Sequence, residues 1–70
     1  MQSIRLNIEG LEQKETQVKV INQLEGMRGV QDIYLSEDET FLDVNFDEET
    51  SDAEINNHLQ NNGYKINKLG

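Results

Sequence analysis

The sequence has no cysteine, and this absence excludes two kinds of structure at once. Without thiols the chain can form neither a disulfide framework nor a metal site built from thiolates. A chain free of cysteine is compatible with a reducing compartment. Its first residues, from Met1 to Ile4, contain no charged and apolar leader, so we expect no signal peptide and a cytoplasmic location.

Long apolar runs are also missing, since none approaches the roughly 20 residues of a membrane span. Basic residues are also few. The chain has six lysines and arginines and fourteen acidic residues, which gives a net charge of −8. Nucleic acids and anionic membranes need a basic patch, which scattered lysines and arginines do not supply. We therefore expect no nucleic acid and no membrane as partner. Basic proteins and cations could bind a chain of this charge. The simpler interpretation is that the acidic residues only keep a small protein soluble.

Histidine occurs once, as His58, on a predicted helix beside the apolar pair Ile55 and Leu59. Zinc sites need three or four ligands, and a single histidine cannot provide them. No Ser-His-Asp or Cys-His set can be assembled, and no spacing among the carboxylates distinguishes an acid from a base. We therefore expect no enzyme and no cofactor, and a half-exposed helix residue at His58.

The 70 residues predict one domain, residues 1–70, with a small core. Apolar alternation predicts strands, and apolar residues three and four apart predict helices. The predicted elements are a strand over 3–9, a helix over 13–27, strands through Val30 to Leu35 and Leu42 to Phe46, a helix after the capping box of Ser51 and Glu54, and a last strand through Tyr64, Ile66 and Leu69. This βαββαβ order predicts an α+β, ferredoxin-like sandwich, a four-stranded antiparallel sheet with two helices on one face.

The other face of the predicted sheet is polar with two aromatic residues. It carries Arg5, Asn7, Tyr34, Phe41, Asp43, Asn45, Lys65 and Asn67. Tyr34 and Phe41 have matching parity on adjacent strands, so we expect them to pair across the hairpin. Aromatic side chains on open sheets stack RNA bases in some proteins of this architecture, but the surrounding acid argues against RNA here. A hairpin-stabilising pair and a modest protein contact both stay open.

A calcium-loop pattern runs from Asp43 to Glu54, with oxygen ligands at its positions 1, 3, 5, 7, 9 and 12. The glycine required at position 6 is replaced by Glu48, and a strand instead of a helix precedes the segment. In a strand Asp43, Asn45 and Asp47 share a face because side chains repeat every two residues. We therefore expect no calcium loop.

The segment GLEQKETQVKVINQLEGMRGV, from Gly10 to Val30, resembles the heavy-metal-associated domain of small copper chaperones and metal-pumping ATPases. That family has a G-M-x-C-x-x-C loop, a helix, and an L-x-x-x-x-G-V turn at the same spacing. The segment FLDVNFDEETSDAEINNHLQNNGYKI is similar to the family's third strand, second helix and closing G-Y. The resemblance covers nearly the whole chain and implies a ferredoxin-like fold.

The chain departs from the family at the metal ligands. Gln13 and Thr16 stand at the two cysteine positions, and Leu11 replaces the methionine. Soft Cu(I) and Zn(II) select thiolates, so an amide and a hydroxyl cannot replace them. The resemblance therefore implies a degenerate metal loop without an assigned metal ligand, comprising Gly10, Leu11, Glu12, Gln13, Lys14, Glu15 and Thr16.

The resemblance implies a protein-interaction or regulatory module that docks a similar ferredoxin-like domain, and the acidic charge favours a basic protein as partner. A further hypothesis is a structural homodimer formed through edge strands or through the face of Tyr34 and Phe41, so we expect a monomer or a weak homodimer. The alternative is heavy-metal binding and transport, as in copper chaperones, through ligands other than cysteine or with a partner's thiols. The topology should gather Glu12, Glu15, Glu37, Asp38, Glu39, Asn61 and Asn62 at one end. Their five carboxylates predict a docking face or a weak Ca²⁺ or Mg²⁺ site, and solvated charge is the simpler interpretation.

Overall fold

Six elements follow one another in the order that the periodicity predicts. They are β1 (Gln2–Ile8), α1 (Lys14–Glu25), β2 (Val30–Leu35), β3 (Leu42–Phe46), α2 (Asp52–Asn61) and β4 (Ile66–Lys68). The computed structural model describes residues 1–68, so the expected place of Leu69 in the last strand lies outside the described residues. The βαββαβ order is confirmed.

The four strands form one antiparallel sheet in the order β2-β3-β1-β4. Val44 of β3 lies opposite Ile4 of β1 and Ile33 of β2. Ile8 of β1 lies opposite Ile66 of β4. The apolar residues of β1 and β3 are buried on one face beneath the two helices, so the expected architecture of a sheet with helices on one face is confirmed.

The core is apolar and is drawn from the described strands and helices and from one loop. Its buried members are Ile4, Leu6, Ile8, Leu11, Val20, Leu24, Leu42, Val44, Phe46, Ile55 and Leu59. Periodicity predicts all of these except Leu11, which precedes α1 and follows no repeat. Two polar residues, Gln17 and Thr50, are also buried. Burial of this apolar surface is the main favourable contribution to folding.

Helix α1 is shorter than predicted at both ends. Gln13 occupies the N-cap position with an extended backbone, and Gly26 follows the last helical residue. Met27, expected inside the helix, lies after it and still packs against the core. The helix therefore presents Gln17, Val20 and Leu24 to the core as its buried residues.

Helix α2 begins with half of the predicted capping box. The Glu54 amide donates to Ser51 Oγ at 3.2 Å, which satisfies one of the free N–H groups of the first turn. The Glu54 carboxylate accepts instead from the hydroxyl of Thr50, at 3.3 Å. The hydrogen bond of the capping box that Ser51 accepts is therefore confirmed. In the other half, the Glu54 carboxylate accepts from the Thr50 hydroxyl and not from the Ser51 amide.

The end of α2 explains why Tyr64 is not in the last strand. The Tyr64 amide donates to the Leu59 carbonyl at 3.1 Å, and the Gly63 amide donates to the Gln60 carbonyl at 3.0 Å. These two bonds form a Schellman turn, which needs a left-handed residue, and Gly63 supplies it with a φ of 91°. Tyr64 therefore packs against the core from the turn, and β4 starts at Ile66.

The expected pairing of Tyr34 with Phe41 is wrong. Tyr34 lies opposite Asp43, and the Phe41 carbonyl accepts from the Ser36 amide at 3.0 Å, so the two aromatic residues are diagonal neighbours. Arg5 contacts Phe41 instead, with its guanidinium carbon 4.1 Å from the ring centroid. The same guanidinium donates to both carboxylate oxygens of Asp43, at 2.9 and 3.2 Å.

Two further sequence-based expectations concern His58 and the calcium-like pattern from Asp43 to Glu54. His58 is half-buried, as expected, and its Nε2 lies 3.1 Å from Oε1 of Gln23. Asp43 and Asn45 lie in β3 whereas Glu54 lies in α2, so the calcium-like pattern spans a strand, a turn and a helix start. Neither helix in the described part of the chain is long and apolar enough to cross a membrane.

Candidate functional site

Three connections meet at one end of the sheet, and we call them together the loop end. They are residues 9–13 between β1 and α1, residues 36–41 between β2 and β3, and residues 62–65 between α2 and β4. The Glu9 amide donates to the Lys65 carbonyl at 3.0 Å, and Asn7 Nδ2 donates to the Thr40 carbonyl at 3.1 Å. The antiparallel register therefore gathers these connections as the topology predicts.

The backbone of the first connection is fixed by its own contacts. The Leu11 amide donates to the Ile8 carbonyl at 3.1 Å, and the Gln13 amide donates to the Gly10 carbonyl at 3.0 Å. Gly10 has a φ of 83°, a left-handed conformation that glycine adopts without strain. The Leu11 side chain is only 1% exposed and anchors the connection in the core.

The two residues at the family's cysteine positions differ in their surroundings. Gln13 is exposed, and its side chain makes no capping hydrogen bond to the start of α1. Thr16 is half-buried in the first helical turn, and its Oγ1 would lie 3.7 Å from a Cβ added to Gly10. Both side chains offer neutral oxygen atoms, which soft metal ions disfavour relative to thiolates.

A small pocket opens beside Thr16. Its volume is about 190 Å³, and it is lined by Glu9, Thr16, Gly63, Tyr64 and Lys65. Lys65, which parity predicts on the open face of the sheet, lies directly before β4 and is among the residues that line this pocket. The sequence signal for this end of the pocket is Gly63, because a glycine that ends a helix in the left-handed conformation places the next residue, Tyr64, in the turn.

The Asp38 carboxylate accepts hydrogen bonds from residues of its own turn. Its Oδ1 accepts from the Thr40 hydroxyl at 2.7 Å, the Ser36 hydroxyl at 2.9 Å and the Thr40 amide at 3.2 Å. The hydrogen bond from the Thr40 hydroxyl, followed by that from Ser36, lowers the pKa of Asp38 below its ordinary value. Asp38 therefore organises the β2–β3 turn.

The other predicted cluster members are arranged as surface charges. Glu12, Glu15 and Glu37 are exposed, Glu39 is half-buried, and Glu15 Oε1 lies 3.0 Å from Lys19 Nζ on α1. Asn61 is exposed, and Asn62 donates to the His58 carbonyl at 2.7 Å. Across residues 1–68, no group of three or more His, Cys, Asp or Glu side chains is placed to hold a metal ion. The weak site for Ca²⁺ or Mg²⁺ stays a prediction.

Comparison with known proteins gives a clear answer for the fold. No protein-family model and no curated protein matches the chain by sequence. Among solved structures, the yeast copper transporter domain CCC2A shares 18% identity over 100% of this chain and 97% of its own, with a TM-score of 0.85. A copper-binding domain from HMA7, a P-type ATPase, shares 20% identity over 100% of this chain and 96% of its own, with a TM-score of 0.85.

A bacterial structure gives the same result. Oxidised MerP from Ralstonia metallidurans CH34 shares 18% identity over 99% of this chain and 97% of its own, with a TM-score of 0.83. The resemblance to heavy-metal-associated domains is therefore confirmed for the fold, along nearly the full length of the chain. Identity at this level shows the fold alone, so the site must be argued from this chain's own residues.

Proposed function

We propose that this chain is a small cytoplasmic interaction or regulatory module with the fold of a soft-metal domain and no soft-metal site of its own. One observation supports the proposal above others. The loop backbone is fixed by hydrogen bonds and by buried Leu11, while the ligand positions hold Gln13 and Thr16. The proposed role is not enzymatic and depends on surface contacts.

An anaerobic titration of labelled protein with Cu(I) and then Zn(II), followed by amide NMR, tests the metal part of this proposal. Wild type should show no saturable shifts over residues 10–17. The matched control is Gln13→Cys with Thr16→Cys, which places two thiols at the family spacing on the same backbone. This variant should bind Cu(I) saturably, because thiolates are the ligands that soft ions select.

Saturable Cu(I) shifts in wild type would contradict the proposal and favour the alternative, a metal carrier that uses other ligands. Failure of the cysteine variant to bind, with its fold intact, would show that the loop differs from a metal loop in more than two side chains. A separate titration with millimolar Ca²⁺ tests the carboxylate cluster. Unchanged amide spectra would remove the hard-cation hypothesis.

We also propose that the loop end is the docking face, and that its partner is a basic protein or a similar ferredoxin-like domain. Glu12 and Glu37 are exposed there, and Glu15 is exposed beside them in the first turn of α1, on a chain with a net charge of −8. Complementary charge speeds association and selects against acidic partners. Two solved structures of the same fold are described as a copper transporter domain and as a domain of a P-type ATPase.

Capture from the host with matched baits tests this docking face. One bait carries Glu12→Lys at the loop end and Glu15→Lys in the adjoining first turn of α1. The control bait carries Glu48→Lys and Glu49→Lys at the opposite end of the sheet, with the same change in charge. Each pair also removes one exposed ion pair, Glu15–Lys19 or Glu49–Arg28. A partner lost from the first bait alone supports the proposal, whereas equal loss from both would show unspecific charge attraction.

A further inference from the structure

Strand β2 forms one edge of the sheet, and its register irregularity between Val30 and Asp32 leaves the stretch from Asp32 to Leu35 in regular pairing with β3. Its sequence, VQDIYL, contains no lysine or proline and only one charge, at Asp32. The Ser36 amide bonds to the Phe41 carbonyl, and paired residues alternate between bonded and non-bonded positions. The backbone N–H and C=O groups of Ile33 and Leu35 therefore point away from β3, toward the open edge.

A groove follows this edge on the helix side. It has a volume of about 310 Å³ and is lined by Ile21 and Glu25 of α1 and by Val30, Gln31 and Ile33 of β2. Its three apolar lining residues are half-buried and pack against the core from outside. A strand added to β2 would place every second side chain over this groove, because side chains alternate between the two faces.

The opposite face of the same edge has a different chemistry. Asp32 lies opposite Asn45 and Tyr34 lies opposite Asp43, so both face away from the helices. Tyr34 is 57% exposed, which is unusual for a large aromatic side chain. An added lysine or arginine on this face would lie beside a carboxylate and an aromatic ring, and both attract cations.

We propose that the β2 edge binds an extended segment of another protein, which joins the sheet as a fifth strand. The segment alternates apolar residues, which enter the groove, with lysine or arginine, which lie beside Asp32 and Tyr34. Such strand addition takes its affinity from main-chain hydrogen bonds and its specificity from alternate side chains. A second copy of this chain fits poorly, because its own β2 has no basic residue and both copies carry a charge of −8.

The test uses the full labelled chain and a short synthetic peptide in which lysine alternates with valine. The amides of Ile33 and Leu35 should shift saturably and become protected from hydrogen exchange. The same peptide N-methylated at alternate amides keeps its charge and should lose at least about tenfold in affinity, because it cannot complete the ladder.

Paired protein variants separate the edge from general attraction by acid. Ile21→Lys should weaken binding about tenfold, whereas Val18→Lys, on the same helix at a 55% exposed residue, should change it less than twofold. Asp32→Lys should weaken binding severalfold without disturbing the core, and Glu12→Lys at the loop end should not.

Three outcomes would overturn the proposal. Equal binding of the N-methylated peptide would show that charge alone attracts it. Greater sensitivity to Glu12→Lys than to Asp32→Lys would place the contact at the loop end. Concentration-dependent dimers in sedimentation, abolished by Ile21→Lys, would make a second copy the occupant. Failure of the loop-end baits leaves this test unaffected, because the predicted contacts lie at the β2 edge and the peptide replaces the unknown partner.

Discussion

The two helices begin in different ways at opposite ends of the sheet. Helix α2 starts behind Ser51, whose hydroxyl accepts from the Glu54 amide, and behind Thr50, which is buried. Helix α1 starts behind Gln13, whose side chain caps nothing. Serine is among the best N-cap residues and glutamine is not. The start of α2 is therefore stabilised by a side-chain cap, whereas α1 starts without one at Gln13, the position where the resemblance implies a lost metal ligand.

The connection before α1 has a stabilising contact of its own, made by a buried apolar side chain. Leu11 holds the first connection in the core at 1% exposure, although the residues around it are polar. Without this anchor, the uncapped start of α1 would have little to position it except backbone hydrogen bonds. The first connection of the loop end therefore depends on one buried side chain, and the start of α2 depends on several short-range polar contacts.

The largest expected effect comes from removing that anchor. Leu11→Ala should destabilise the domain by about 3 kcal/mol, because it removes buried methyl groups and leaves a cavity. Urea unfolding measures the loss. The control is Val18→Ala, at an exposed residue of the following helix, which should change the free energy of unfolding by less than about 0.5 kcal/mol. Similar results for the two variants would mean that the loop end does not depend on Leu11.

A smaller effect of opposite sign is expected at Gln17. Its side chain is buried at 6% exposure, and Nε2 has no hydrogen-bond partner within residues 1–68. Gln17→Met keeps the length of the side chain and removes the unpaired donor, so it should stabilise the domain by about 1.5 kcal/mol. Gln60→Met, at an exposed residue of α2, serves as the control. Destabilisation by Gln17→Met would show that the Gln17 amide makes a net stabilising contact.

A matched pair of substitutions can remove the side-chain cap from α2 and add one to α1. Ser51→Ala should destabilise the domain by about 1 kcal/mol, because an amide of the first turn loses its acceptor. Gln13→Asp should stabilise it by up to about 1 kcal/mol, because a carboxylate there can cap α1 and complements its dipole. Thermal unfolding of the two variants and the double variant checks both signs. No gain from Gln13→Asp would mean that the loop geometry prevents capping.

The sequence predicts the structure correctly where a periodic pattern carries the information. Alternation located β1 and β3 to within two residues, and the 3.6-residue period located Val20 and Leu24 in the core. It missed Leu11, because an irregular loop has no period, and Gln17, because a buried amide looks like a surface residue. The Tyr34–Phe41 pair was wrong because parity gives the face of a residue, while the length of the turn gives its register.

The candidate site shows the same division. Convergence of the three connections follows from the βαββαβ order alone, and the bonds from Glu9 to Lys65 and from Asn7 to Thr40 confirm it. The roles of Gln13 and Thr16 depend on the resemblance, because nothing in their chemistry marks them as replacements. The contacts of Asp38 with Ser36 and Thr40 were not predicted, and the same turn holds Glu39 at a φ of 60°, a conformation that no pattern in the sequence indicates.

The smallest expected effect concerns pH and the Asp38 turn. Because the folded pKa of Asp38 lies below its ordinary value, its contribution to stability is complete above about pH 4 and disappears as the pH falls through the folded value. Asp38→Asn should therefore lower stability slightly at pH 7 and lose this difference as the pH falls below the folded pKa of Asp38. Urea unfolding of both proteins at several pH values measures it, and Glu37→Gln is the neighbouring control. A constant difference across that range would assign the effect of Asp38→Asn to the shape of the turn and not to the charge that its hydroxyl donors stabilise.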